Sequence, residues 1–127
     1  MRKLLPVLIL ATVASSGGAV QRRNEAPAAT PTGAAQTCIP IRAIRETRVR
    51  NDRVIDFVMS GRRTYRVTLS QPCPQLGFER SFSYSTSLSQ LCSQDIITVL
   101  RQAGGVQRGA SCGLAPFQPV TLAGKTR

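Results

Sequence analysis

The sequence predicts an all-β fold, a small single-domain barrel or strongly curled antiparallel sheet of about five to six strands, stapled by disulfides. Three observations carry this expectation. From Glu46 to Leu69 apolar and polar residues alternate with the strand period of two. Turn-forming residues break that pattern at Asn51, Asp52 and Arg53 and again at Gly61, Arg62 and Arg63. Four cysteines, Cys38, Cys73, Cys92 and Cys112, all fall within the patterned part of the chain.

Met1, Arg2 and Lys3 form a short positive region, and the apolar run "LLPVLILATV" follows it. Small residues come next, with Gly17 and Ala19 placed for cleavage before Val20, which is the layout of a secretory signal peptide over residues 1–19. Ten apolar residues are too few to cross a hydrocarbon core of about 30 Å as a helix, so the mature chain is expected to be soluble and exported, periplasmic or extracellular. No cysteine stands at the cleavage region, so a lipid anchor is not indicated. Residues 20–37, "VQRRNEAPAATPTGAAQT", offer little apolar surface to offset ordering entropy and read as a disordered spacer. The folded domain is then expected over residues 38–121, with a basic tail at 122–127.

Within the domain the first turn sets a register. With Asn51 to Arg53 as the loop, Val49 faces Ile55, Thr47 faces Phe57, and Arg48 lies opposite Asp56 on the other face. The second turn pairs Met59 with Tyr65, Phe57 with Val67 and Ile55 with Leu69, so three strands share one apolar side. Arg45 alone breaks the rule, pointing inward unless a bulge intervenes. "SFSYSTSL" alternates Phe82, Tyr84, Thr86 and Leu88 against serines, as a half-buried strand with a flat hydroxyl-lined outer face. "QDIITVLR" is ambiguous. Ser93 fits the cap of a helix ending at Gly104, with Ile96, Val99, Leu100 and Ala103 as its stripe, whereas the β-branched run Ile96 to Val99 suits a strand. "AGGVQRGA" reads as a loop, and "SCGLAPFQPVT" as a last irregular strand limited by Pro116 and Pro119.

The even cysteine count behind an export signal points to a disulfide framework. A four-thiolate zinc site requires cysteines two to four residues apart, and none here are that close. Four cysteines allow three pairings, which spacing does not separate.

In order along the chain, Cys38-Ile39, "VRNDRVIDF", "YRVTLSQPCPQL", "LCSQDIITV" and "SCGLAPF" resemble a family of small exported proteobacterial proteins classed as a domain of unknown function. The resemblance covers about Cys38 to Pro119. It implies a compact β-rich domain, export and no established activity; it favours a strand at 94–101 and supplies no catalytic residue. With that frame the pairing expected is Cys73 with Cys92, which bracket the serine-rich strand, and Cys38 with Cys112, which tie the first strand to the last.

The residue inventory bounds the chemistry. There is no His and no Trp, which removes Ser-His-Asp and Cys-His nucleophiles and every His-based metal site. Of six acidic residues, Glu25 lies in the spacer and Glu46, Asp52, Asp56, Glu79 and Asp95 are scattered singly, with no pair set for acid–base work. The glycine-bearing "SGRR" and "AGGVQRGA" lack the strand–glycine–helix setting of a phosphate-binding loop. A non-catalytic protein with no cofactor and no metal is therefore expected.

Charge favours binding. The whole chain carries 17 basic and 6 acidic residues. Without Arg2 and Lys3 of the signal fifteen basic residues remain, a net charge of +9, and all but Lys125 are arginine. Arginine favours bidentate contact with phosphate or carboxylate. Salt-sensitive association with an anionic envelope polymer or lipid is expected, centred on Arg48, Arg50, Arg62, Arg63 and Arg66 on the outer face and turns of the meander. Asp56 and Glu46 interrupt that surface, so it is diffuse, and a solvated face accounts for most of it. Specific nucleic-acid binding is not expected, because stacking platforms need exposed aromatics and only Tyr84 or Phe117 offers one. The other expected mode is a monomeric protein-interaction or inhibitor-like module that uses the serine-rich strand 81–87 as an edge.

Overall fold

The computed structural model describes residues 25–123. The signal peptide and the cleavage before Val20 expected from the sequence, the first residues of the expected spacer, and residues 124–127 of the expected tail lie outside the described residues. The elements in order are β1 (Ala29–Pro31), β2 (Cys38–Pro40), a turn of 3-10 helix (Ile41–Ala43), β3 (Ile44–Val49), β4 (Val54–Met59), β5 (Thr64–Thr68), α1 (Leu76–Glu79), β6 (Phe82–Tyr84), β7 (Gln90–Cys92), β8 (Ile96–Arg101), β9 (Gln107–Gly113) and β10 (Gln118–Leu122). The fold is mostly β and every strand pairing is antiparallel.

No barrel closes. The strands form three separate sheets: five strands in the order β1-β10-β5-β4-β3, three in the order β6-β8-β9, and the pair β2-β7. A shared core, not a continuous ladder, joins them. Ile55, Phe57, Val67 and Leu69 of the large sheet meet Ile97 and Val99 of β8, Leu91 of β7, Ile39 of β2, Leu76 of α1 and Phe117. Phe57 sits at the centre, with its ring edge-on to Phe117 at 5.5 Å and to Phe82 at 6.4 Å between centroids. Each fully buried side chain of this kind contributes about 1.5–3 kcal/mol, which is why three small sheets hold together without closing.

The β3–β4 register is the one the alternation requires, with Thr47 opposite Phe57, Arg48 opposite Asp56 and Val49 opposite Ile55. Asn51 Oδ1 accepts from the N–H groups of Arg53 and Val54 at 2.8 and 2.9 Å, forming the side-chain turn that residue type favours. A register shift between Ile44 and Glu46 turns Arg45 out to solvent. The β4–β5 register differs from expectation by two residues, since Phe57 pairs with Tyr65 and Ile55 with Val67. The reason is the turn, where Met59 N–H reaches Arg63 O at 2.7 Å and Gly61 and Arg62 both take positive φ (81° and 63°). A slip of two preserves the faces, so the apolar side survives.

Four further expectations are corrected. Part of the spacer is ordered: β1 pairs with β10, with Ala29 opposite Leu122, so the sheet begins before residue 38 and ends at Leu122. In the serine-rich segment only Phe82–Tyr84 is strand, and Leu88 is exposed. Half of "AGGVQRGA" belongs to β9, and the last segment divides between β9 and β10. The disulfides are Cys38–Cys92 and Cys73–Cys112. Cys38 lies directly opposite Cys92 in the β2–β7 pair. The strands that neighbour one another at the two ends of the domain are β1 and β10, neither of which carries a cysteine. At residues 94–101 the β-branched run wins, and Ile96–Arg101 is strand.

Candidate functional site

The outer face of the large sheet carries the first group of arginines, and most of them are engaged within the protein. Asp56 is fully buried although it points away from the core. It accepts from Arg50 Nε at 2.8 Å, Arg66 Nε at 2.8 Å and Arg66 Nη2 at 3.0 Å. Arg66 Nη1 also donates to the Pro27 carbonyl at 2.7 Å, so the N-terminal segment helps to close this cluster. Arg48 donates Nε and Nη2 to Glu46 at 3.0 and 3.1 Å. The Arg48 guanidinium holds the Glu46 carboxyl below the usual carboxylate range, and Glu46 in turn raises Arg48. Arg48, Arg50 and Arg66 are therefore each held by a carboxylate of the same sheet. Arg62 and Arg63 do remain exposed at the β4–β5 turn, a strand's length of about 20 Å from the opposite end of the sheet.

At that opposite end lies a groove of about 1010 Å³ between the β3–β4 turn and α1. The chain makes it by close approach. Cys73 N–H donates to the Asp52 carbonyl at 2.8 Å, and Gly77 N–H donates to Asp52 Oδ1 at 2.7 Å. A Cβ on Gly77 would stand 3.0 Å from Asn51 C, Asn51 Cα and Asp52 N, so a larger residue would press on the turn backbone and push helix and turn apart. Leu76 plugs the core, while Gln75 and Arg80 flank the single helical turn in the left-handed region, at φ 66° and 55°. Two non-glycine residues in that region cost about 1–3 kcal/mol each. The result is that Phe78, 84% exposed, stands on the rim with Arg53 and Arg80.

Among the described residues those two guanidiniums bond only to carbonyls. Arg53 Nε donates to Leu69 O at 3.0 Å, and Arg80 Nε makes a long 3.4 Å contact with Gly77 O. The nearby carboxylates are engaged elsewhere: Asp52 accepts from Gly77, and Glu79 Oε2 accepts from Gln102 N–H at 3.2 Å. The groove thus sets two guanidiniums against one lining carboxylate, Asp52, and is net cationic. Gln75 also lines a second recess of about 330 Å³, which holds Arg101 and Arg108 of the β8–β9 hairpin. Gly109 admits the Arg101 stem there, since a Cβ would lie 3.2 Å from Arg101 Cγ.

Sequence reasoning missed this site. It left only Phe117 or Tyr84 as a candidate for an accessible aromatic, and Phe117 is fully buried and Tyr84 half-buried. The signal available was "PCPQLGFER", where Phe78 stands beside Glu79 and Arg80 and no alternation turns it inward. Among the described residues no cluster of His, Cys, Asp or Glu is arranged to hold a metal ion, and no helix is long and apolar enough to cross a membrane. The two disulfides suit an oxidising compartment. Comparison with family models, curated proteins and solved structures finds no match for this chain.

Proposed function

We propose that the protein is a non-catalytic, exported, envelope-associated binding protein whose anionic ligand seats in the groove between the β3–β4 turn and α1. One observation carries this reading: Arg53 and Arg80 line the same groove as an exposed Phe78, and among the described residues no carboxylate is bonded to either. A net cationic groove raises the local concentration of anions, and guanidiniums bind carboxylate or phosphate in bidentate fashion. Export is supported by the signal-like N-terminus and the disulfides. A binding role is supported by the state of the carboxylates. Glu46, Asp52, Asp56, Glu79 and Asp95 each accept a hydrogen bond from a neighbouring arginine or backbone N–H, and none faces another across a cleft.

The test is retention of the purified oxidised protein on immobilised polyglutamate and polyphosphate at about 0.15 M salt, where screening reaches roughly 8 Å. Arg53→Glu with Arg80→Glu should abolish retention on the polymer that binds. Arg62→Glu with Arg63→Glu should leave most of it. The reverse ranking would move the site to the β4–β5 turn.

A further inference from the structure

Resting on that reading of the groove, we infer that its ligand is an extended acidic segment of a partner protein, in which carboxylates alternate with apolar side chains. The segment runs from the α1 groove across Gln75 into the recess between Arg101 and Arg108.

Three features select this chemistry. The first is the pairing of aromatic and guanidinium groups. Phe78 is 84% exposed and gains nothing from a purely ionic polymer, whereas an aromatic ringed by arginine is the composition of protein-recognition hot spots. The second is charge complementarity along a line. Arg53 and Arg80 line the groove together with Gln75, the same Gln75 lines the recess that holds Arg101 and Arg108, and Asp52 is the one carboxylate that lines either. A chain that presents carboxylates at intervals meets both pairs, whereas a compact single anion meets one. The third is construction. Gly77 brings turn and helix together, Gly109 makes room for the Arg101 stem, and two left-handed residues bracket α1. Strain of that kind persists where the surroundings enforce it, and it clusters at binding sites.

The hydrogen bond from Gln102 N–H to Glu79 links the β8–β9 hairpin to α1, between the two recesses' elements. Val106, 68% exposed, lies in the same hairpin turn and adds a second apolar contact at that end. A lipid surface would ask for a broad apolar patch, whereas here single apolar groups are interspersed with charge.

The experiment is fluorescence anisotropy on the oxidised full chain with labelled peptides of about ten residues, roughly 33 Å when extended. One peptide alternates Glu with Leu, a second alternates Glu with Ser, and a third is the Glu–Leu peptide at half length. The Glu–Leu peptide should bind about tenfold more tightly than the Glu–Ser peptide. Phe78→Ala should erase that advantage, and its own urea midpoint, unchanged for so exposed a residue, shows that the fold is intact. Arg101→Glu with Arg108→Glu should weaken the long peptide about tenfold and leave the half-length one unaffected.

Equal binding of the Glu–Leu and Glu–Ser peptides, insensitivity to Phe78→Ala, or tighter binding of inorganic polyphosphate than of any peptide would overturn the peptide inference and leave the anionic groove standing. If neither peptide nor polyphosphate responds to Arg53→Glu with Arg80→Glu, the groove itself is refuted and the inference falls with it.

Discussion

Replacing Arg66 with Met tests what holds the outer face of the large sheet. Arg66 supplies two of the three side-chain hydrogen bonds to the fully buried Asp56 and the one to the Pro27 carbonyl. Arg66→Met leaves a buried carboxylate with Arg50 alone, which reaches only Oδ2. Breaking a buried ion pair from one side costs about 3–5 kcal/mol, because the remaining charge has lost its compensation. With a urea slope of about 1.5 kcal/mol/M for a domain of this size, the unfolding midpoint should fall by about 2–3 M. Arg66→Lys keeps the charge but loses the planar fork and should cost about 1.5–3 kcal/mol. Asp56→Leu combined with Arg66→Met removes both charges; Arg50, at the partly exposed edge with 21% of its side chain accessible, turns its head to water. That double variant should recover most of the loss. Urea unfolding with the disulfides intact measures all three. A loss under about 1 kcal/mol for Arg66→Met, or a double variant as weak as the single, would refute the argument that burial makes this cluster costly to break.

Three other expectations concern the disulfides, the groove and pH. Non-reducing peptide mapping should recover Cys38 linked to Cys92 and Cys73 linked to Cys112, and Cys73→Ser with Cys112→Ser should cost about 4 kcal/mol by loop entropy over a separation of 39 residues. A Cys73–Cys92 peptide would overturn this pairing. Gly77→Ala forces a Cβ against the backbone of Asn51 and Asp52 and should cost about 1–3 kcal/mol, with loss of anion binding because turn and helix separate; calorimetry and the anisotropy assay read the two effects. Because Arg48 depresses the Glu46 carboxyl, that pair contributes stability above the ordinary glutamate pKa of about 4.3, and the contribution disappears as pH falls through the lower folded value. The stability difference between wild type and Glu46→Gln should therefore be present at neutral pH and shrink towards zero in acid. A difference that grows on acidification contradicts the assignment.

The residues that could be read correctly from the sequence are those whose neighbours are close along the chain. The β3–β4 register followed from alternation, which puts Val49, Ile55 and Phe57 on one side, together with the Asn51 turn, which sets the loop length. The β4–β5 register kept its faces but slipped by two, since alternation is blind to a shift of one full period and the positive φ of Gly61 and Arg62 decided it. Arg45 announced its own bulge by breaking the pattern. The arginines were visible as charge, but their partners were not. Whether a guanidinium faces solvent depends on what crosses above it, and Pro27 reaches Arg66 from 39 residues away.

By itself, the sequence determined that this is a strand-rich domain with an even set of cysteines, a basic balance and no histidine chemistry. Composition and short-range period are properties of the chain, and they survive any arrangement of the strands. The three-sheet architecture, the disulfide partners, the burial of Asp56 and the groove beside Phe78 were decided only by tertiary structure. Each of those depends on which distant segments share a core. This chain settles that by packing three sheets on a shared core that holds Phe57, not by any local preference.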